Sequence, residues 1–153
     1  MPDSSPRPAL SSALSYRDPK AAILWLEQAF GFEQVMVILD KQGGVAHAEL
    51  RHGDGLMMLG GEWSARNRSP ASVEGLNTQT VHVHLREDVD AHCARARRAG
   101  ADILQEPETQ FYGDRSYRCA DPEGHIWTFA QTVREVSPEE WDKSMGFVTK
   151  ARL

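Results

Sequence analysis

A chain of 153 residues is long enough for one domain with a sizeable core and too short for two independent ones. Its 41% hydrophobic and 25% charged residues form a globular balance that argues against disorder. The net charge of −5 comes from Asp and Glu mixed with Lys and Arg, and no basic face of the kind that binds nucleic acid emerges.

Residues 1–8, rich in Pro and Ser, read as a flexible tail, and residues 9–16 as a short strand. Asp18 is placed to cap a helix that begins at Pro19, where the missing N–H costs nothing. Ala22, Ile23, Leu26, Ala29 and Phe30 give that helix one apolar face, and Gly31 is placed to end it. Residues 32–39 are rich in β-formers, and Lys41-Gln42-Gly43-Gly44 supplies a turn. Residues 45–51 return as an alternating strand. Gly53-Asp54-Gly55 turns again, and residues 56–59 form a short apolar strand. Residues 60–78 are polar and read as a linker or loop.

The order then repeats. Residues 80–85 form a strand, Asp88 caps a helix running to about 99, and Gly100 stops it. A strand begins at residues 101–104, another covers 115–120, Asp121-Pro122-Glu123-Gly124 makes a tight turn, and residues 125–131 close the module. The two caps lie 70 residues apart and the two stops 69 apart, an internal repeat that outranks any single motif. Ser137-Pro138-Glu139-Glu140 is a capping box for a last helix over about 138–145, which carries Trp141 onto the body or onto a second subunit. The expected organisation is a tail over 1–8, one domain over 9–131 (modules about 9–60 and 79–131) and a helical extension over 132–153.

Two cysteines, Cys93 and Cys119, are too few for a disulfide framework and fit a reducing compartment. No apolar run resembles a signal peptide or approaches the roughly 20 residues of a membrane span. The expectation is a cytoplasmic protein with no membrane and no nucleic-acid partner. The mild acidity would suit a cationic ligand, although such a charge is common without one.

Three stretches carry a family resemblance. The first runs from Tyr16-Arg17-Asp18 through Trp25-Leu26 to Phe30-Gly31-Phe32. The second runs from Asp88-Val89-Asp90-Ala91-His92 to Ala99-Gly100-Ala101. The third runs from Tyr112-Gly113-Asp114-Arg115 to Asp121-Pro122-Glu123-Gly124-His125-Ile126-Trp127. Over about residues 9–131 the chain resembles the vicinal oxygen chelate superfamily of glyoxalases, extradiol dioxygenases and bleomycin-resistance proteins. The resemblance implies an α+β fold in which two βαβββ modules form a curved, cup-like mixed sheet with helices outside, in many members as a homodimer.

Metal-dependent members use four strand positions, typically His or Gln on the first strand of a module and Glu on the last. Here the first position falls near Ser11, residues 56–59 offer only thioethers, and the position four beyond Gly124 is Thr128. Only His82 and His84 are candidates, which reads as loss of the usual metal site. Alternation puts His47 and Glu49 on one strand face, and with His82 or His84 they could make a relocated two-His-one-carboxylate set. A polar cavity wall is the favoured reading of the same residues. Arg115 could clamp an anionic ligand or make a surface salt bridge. The cavity candidates are therefore His47, Glu49, His82, His84, Arg115 and Thr128. They imply a protein without cofactor that binds a small organic molecule. The alternative is a lyase, isomerase or dioxygenase that depends on a divalent metal.

Overall fold

The computed structural model describes residues 4–153. The first module is β1 (Ser12–Ser15), α1 (Pro19–Phe30), β2 (Glu33–Leu39), β3 (Val45–His52) and β4 (Gly55–Gly60). The second is β5 (Val81–His84), α2 (Val89–Arg98), β6 (Asp102–Thr109), β7 (Asp114–Ala120) and β8 (Ile126–Thr132), followed by α3 (Pro138–Met145). The strands form two four-stranded mixed sheets with the same design, ordered β1-β4-β3-β2 and β5-β8-β7-β6. In each, the first strand lies parallel to the last and the others run antiparallel. This is an α+β fold of the glyoxalase type.

The helices begin where their caps dictate. The Asp18 carboxylate accepts from Ala21 N at 3.0 Å, and the Asp88 carboxylate accepts from Ala91 N at 2.8 Å. Gly31 ends α1 in the left-handed region at φ +75°. The strand expected over 9–16 is shorter, and the one expected to begin at 101–104 extends through Pro107 to Thr109. Proline is tolerated there because β6 is a sheet edge, where a missing N–H breaks no central ladder. The register shifts between Gln105 and Glu108 accommodate it. The expected tail over 1–8 lies partly outside the described residues.

One core joins both modules. Phe30, fully buried at the end of α1, packs its ring 5.2 Å from Trp127 and 4.6 Å from Phe129 of β8. Trp25 Nε1 donates to Ala99 O at 2.8 Å, and Arg95 donates to the carbonyls of Gln28 and Glu27 at 2.8 and 3.0 Å. The Asp121–Gly124 turn reaches the other way. Its Glu123 carboxylate accepts from the backbone N–H groups of Arg17 and Asp18, at 2.6 and 3.0 Å. Asp121 accepts from the buried Tyr16 hydroxyl at 2.7 Å and from Trp127 Nε1 at 3.1 Å. Helices α1 and α2 thus pack against each other and against one face of each sheet, leaving the opposite faces uncovered by either.

Residues 60–78 are pinned by carboxylates. Glu62 binds Arg68, Ser69 and Ser72, and Arg68 foremost lowers its pKa to about 2. Ser69 Oγ donates to Glu123 at 2.6 Å.

Candidate functional site

Strand alternation divides each sheet between core and open face. In β3, Ala48 and Leu50 are buried against the helices, which turns His47 and Glu49 to the opposite face. In β8, Trp127 and Phe129 belong to the core, so Thr128 faces away from it. In β5, Val81 and Val83 pack against the core and the exposed His82 and His84 point outward.

On the first sheet the register sets Glu49 between Met36 of β2 and Met58 of β4, with Ala13 of β1 beyond Met58. Glu49 is 4% exposed. Its two oxygens accept from Arg7 Nη1 and Nη2 at 3.1 and 2.8 Å, a forked ion pair with a residue that precedes β1. His47 Nε2 lies 3.3 Å from Glu49 Oε1. The Arg7 guanidinium foremost, and then His47, hold the carboxyl below its ordinary range against the opposing effect of burial.

On the second sheet, His82 sits beside Thr128, and His84 beside Ala130. Arg118 of β7 is the other neighbour of Thr128 and donates from Nε to its hydroxyl at 3.2 Å. Arg115 is on the other face, where it forks onto Asp90 of α2 at 2.8 and 2.9 Å. That ion pair holds Asp90 below the usual carboxylate range. Of the six sequence candidates, the chain brings together His47 with Glu49 and His82 with Thr128, and sets His84 two residues beyond His82 on β5. It does not place Arg115 among them.

Sequence reasoning missed Arg7 here and left Arg118 open. The signal of Arg118 is its alternation with Tyr117, which puts only one of the two on the open face, and the burial of Tyr117 decides for Arg118. Arg7 has none, because a Pro-flanked residue outside any strand carries no periodicity.

Among the described residues, one trio of donors is close enough to share an ion: His52, Glu87 and His92. It lies on the helix side and was not anticipated. His92 Nε2 is 3.0 Å from Phe30 O, which can only accept, so this nitrogen carries the proton. Nδ1 then accepts from Tyr117 Oη at 2.6 Å. Burial lowers the pKa of His92 and raises that of Tyr117, in keeping with a neutral pair. Both imidazole nitrogens are engaged, which leaves His92 no lone pair for a metal. His47 and Glu49 lie on one sheet and His82 and His84 on the other, so a single chain does not gather them as a ligand set. The open face beside Thr128 offers one imidazole and one hydroxyl, and on the face beside Met58 both oxygens of the Glu49 carboxylate are already engaged by Arg7. This is a poor donor set for a divalent ion that prefers nitrogen and oxygen.

A cleft of about 690 Å³ opens where β1 and β5 approach, lined among others by Ser15, Arg66, Gln79 and His125. Cys93 and Cys119 are free and buried, and burial pushes the Cys119 thiol up to about 12, which removes it as a nucleophile.

The paired modules, with their shared strand order and an open face on each sheet, define an α+β protein of the glyoxalase type. Residues 11–129 match the model of the Glyoxalase/Bleomycin resistance protein/Dioxygenase superfamily, and the chain belongs to that superfamily. It is 34% identical over 143 residues to the uncharacterized protein Mb0911c of Mycobacterium bovis, covering 91% of this chain and 93% of that one. The crystal structure of TioX from Micromonospora sp. ML1 superposes with a TM-score of 0.65 at 32% identity, over 85% of this chain and all (100%) of that one. TnmS3, an antibiotic binding protein from Streptomyces sp. CB03234, shares the fold at 18% identity with a TM-score of 0.62, over 80% and 93% of the two chains.

Proposed function

We propose that this protein binds a small organic molecule, without a metal, against the open faces of its two sheets. The observation that carries this reading is the composition of those faces. Polar groups at Glu49, His47, His82, Arg118 and Thr128 are set among Met36, Met58, Ile126 and Ala130. A few directed polar groups in an apolar wall suit an organic ligand better than an ion. The antibiotic-binding TnmS3 supports the reading only as a protein of the same fold. A homodimer belongs to the same proposal. Met36 and Ile38 of the edge strand β2, beside Glu49 and His47, are 38% and 46% exposed, and a second copy over the open face would cover apolar surface and enclose the ligand. A cytoplasmic location is consistent with two unpaired cysteines.

The test is a thermal-shift screen of aromatic and polycyclic compounds, run beside nickel, zinc, iron and manganese and beside a chelator. Compounds are expected to raise the melting temperature. His82→Ala and Thr128→Val are each expected to weaken the affinity for such a compound about tenfold, the loss of one good polar contact of about 1.4 kcal/mol, read as a smaller thermal shift. Stabilisation by metal, loss of stability in chelator, or metal found by elemental analysis of the purified protein would replace this reading with the metal-dependent enzyme. Light scattering checks the dimer.

A further inference from the structure

Glu49 poses a physical question that the fold alone does not answer. With Arg7 in place the carboxylate is 4% exposed, and it is flanked on both neighbouring strands by methionines, so its charge is offset by a partner cation in place of water. The cation comes from outside the sheet. Arg7 sits five residues before β1 in a segment with no helix or strand, and its own side chain is 59% exposed. The carboxylate is built into the sheet, whereas the cation is laid over it. Pro8 keeps Arg7 extended, so the segment can present the guanidinium with little ordering cost. Nothing in the shared core depends on Arg7, which lies apart from the core cluster.

We infer that the Glu49 face is a subsite for a guanidinium or amidinium group of an organic ligand, and that Arg7 is an internal occupant which such a ligand displaces. This rests on the proposed binding role and names the ligand class. Glu49 accepts the two parallel N–H bonds of a planar fork, His47 lies beside one carboxylate oxygen, and the thioethers of Met36 and Met58 offer apolar contact to the body of the ligand. Arg7 keeps the carboxylate paired when no ligand is present. It also sets a threshold, because a tethered competitor acts at an effective concentration on the order of millimolar.

The experiment is isothermal titration of the full chain with benzamidinium, using neutral benzamide as the control. The native chain is expected to bind benzamidinium weakly. Arg7→Ala and Arg7→Gln are each expected to bind it at least tenfold more tightly while taking up no more benzamide. Adding Glu49→Gln to either variant is expected to abolish the gain. Melting curves confirm that each variant is folded, and the two replacements at Arg7 guard against one that is not. Equal benzamidinium affinity in the native chain and both Arg7 variants overturns the inference and leaves Arg7–Glu49 as a structural ion pair. So does a gain that survives Glu49→Gln. Binding of neutral compounds through His82 and Thr128 without any benzamidinium gain would defeat the inference and spare the proposed function. Glu49-dependent benzamidinium binding in the variants, with nothing taken up by the native chain, would also defeat the inference, because no ligand then displaces Arg7.

Discussion

His92 shows how one residue ties the two modules together and what that costs. Its ring is 3% exposed, tilted against that of Phe129 with centroids 4.4 Å apart, and bonded through Nε2 to the last residue of α1 and through Nδ1 to Tyr117. Burial lowers its pKa from the ordinary 6.5. The unfolded chain therefore takes up a proton near pH 6.5 that the folded chain resists. The stability His92 confers is complete above that pH and declines as the pH falls below it toward the lower folded value. His92→Gln keeps a donor for Phe30 O and an acceptor for Tyr117 and cannot titrate. Urea-unfolding midpoints of the native protein should fall between pH 7 and pH 5, and those of His92→Gln should fall less. Parallel declines would show that other groups set the slope. The role of His92 was not legible in the sequence, because an isolated histidine on a helix says nothing about what its two nitrogens will meet. For Arg115 the difficulty was parity. Its neighbours Tyr117 and Arg118 plainly oppose each other, yet only the burial of Tyr117 decides which side holds the helix.

At the scale of elements, caps and turns made the order of strands and helices readable. Asp18, Gly31, Asp88 and the Asp121–Gly124 turn all act locally, through hydrogen bonds within a few residues. What local chemistry could not convey is where distant segments touch. The β6–β7 hairpin is the clearest case. Gly113 at its turn has φ +97°, and its carbonyl accepts from Val133 and Arg134 N at 3.0 and 3.1 Å. A Cβ built there would lie 1.9 Å from the Arg134 carbonyl oxygen. That is an impossible contact with backbone. Gly43, at the other hairpin, has φ +83° and open space around it. Gly113→Ala should therefore cost about 3 kcal/mol or more and loosen the segment leading to α3, while Gly43→Ala should cost about 1 kcal/mol. Urea denaturation gives the two costs. Limited proteolysis after residue 132 reports the loosening, and equal costs at the two glycines would contradict the packing described for Gly113.

Across the whole molecule, a repeated sequence invites the expectation that each module is a unit of stability. The packing argues otherwise. Neither sheet has a core of its own, because the ring that fills the centre under β8 belongs to α1. The contact of Phe30 with Trp127, Phe129 and His92 crosses from one module to the other, as do the bonds of Tyr16, Arg17 and Asp18 to the Asp121–Gly124 turn. Exposing either module would open buried aromatic surface and strip partners from the buried Asp121 carboxylate, so partial unfolding is penalised from both sides. The chain should unfold in one transition, with amides of β3 and β8 exchanging at the same limiting free energy. Phe30→Ala removes a fully buried ring from the shared core and should cost about 3–5 kcal/mol. The cost should register equally in the exchange of both sheets, although the substitution lies in the first module. A variant in which β3 loses protection while β8 keeps it would mean that the modules fold independently. The two open faces would then be free to move relative to each other, and the fixed geometry that the proposed function requires would be lost.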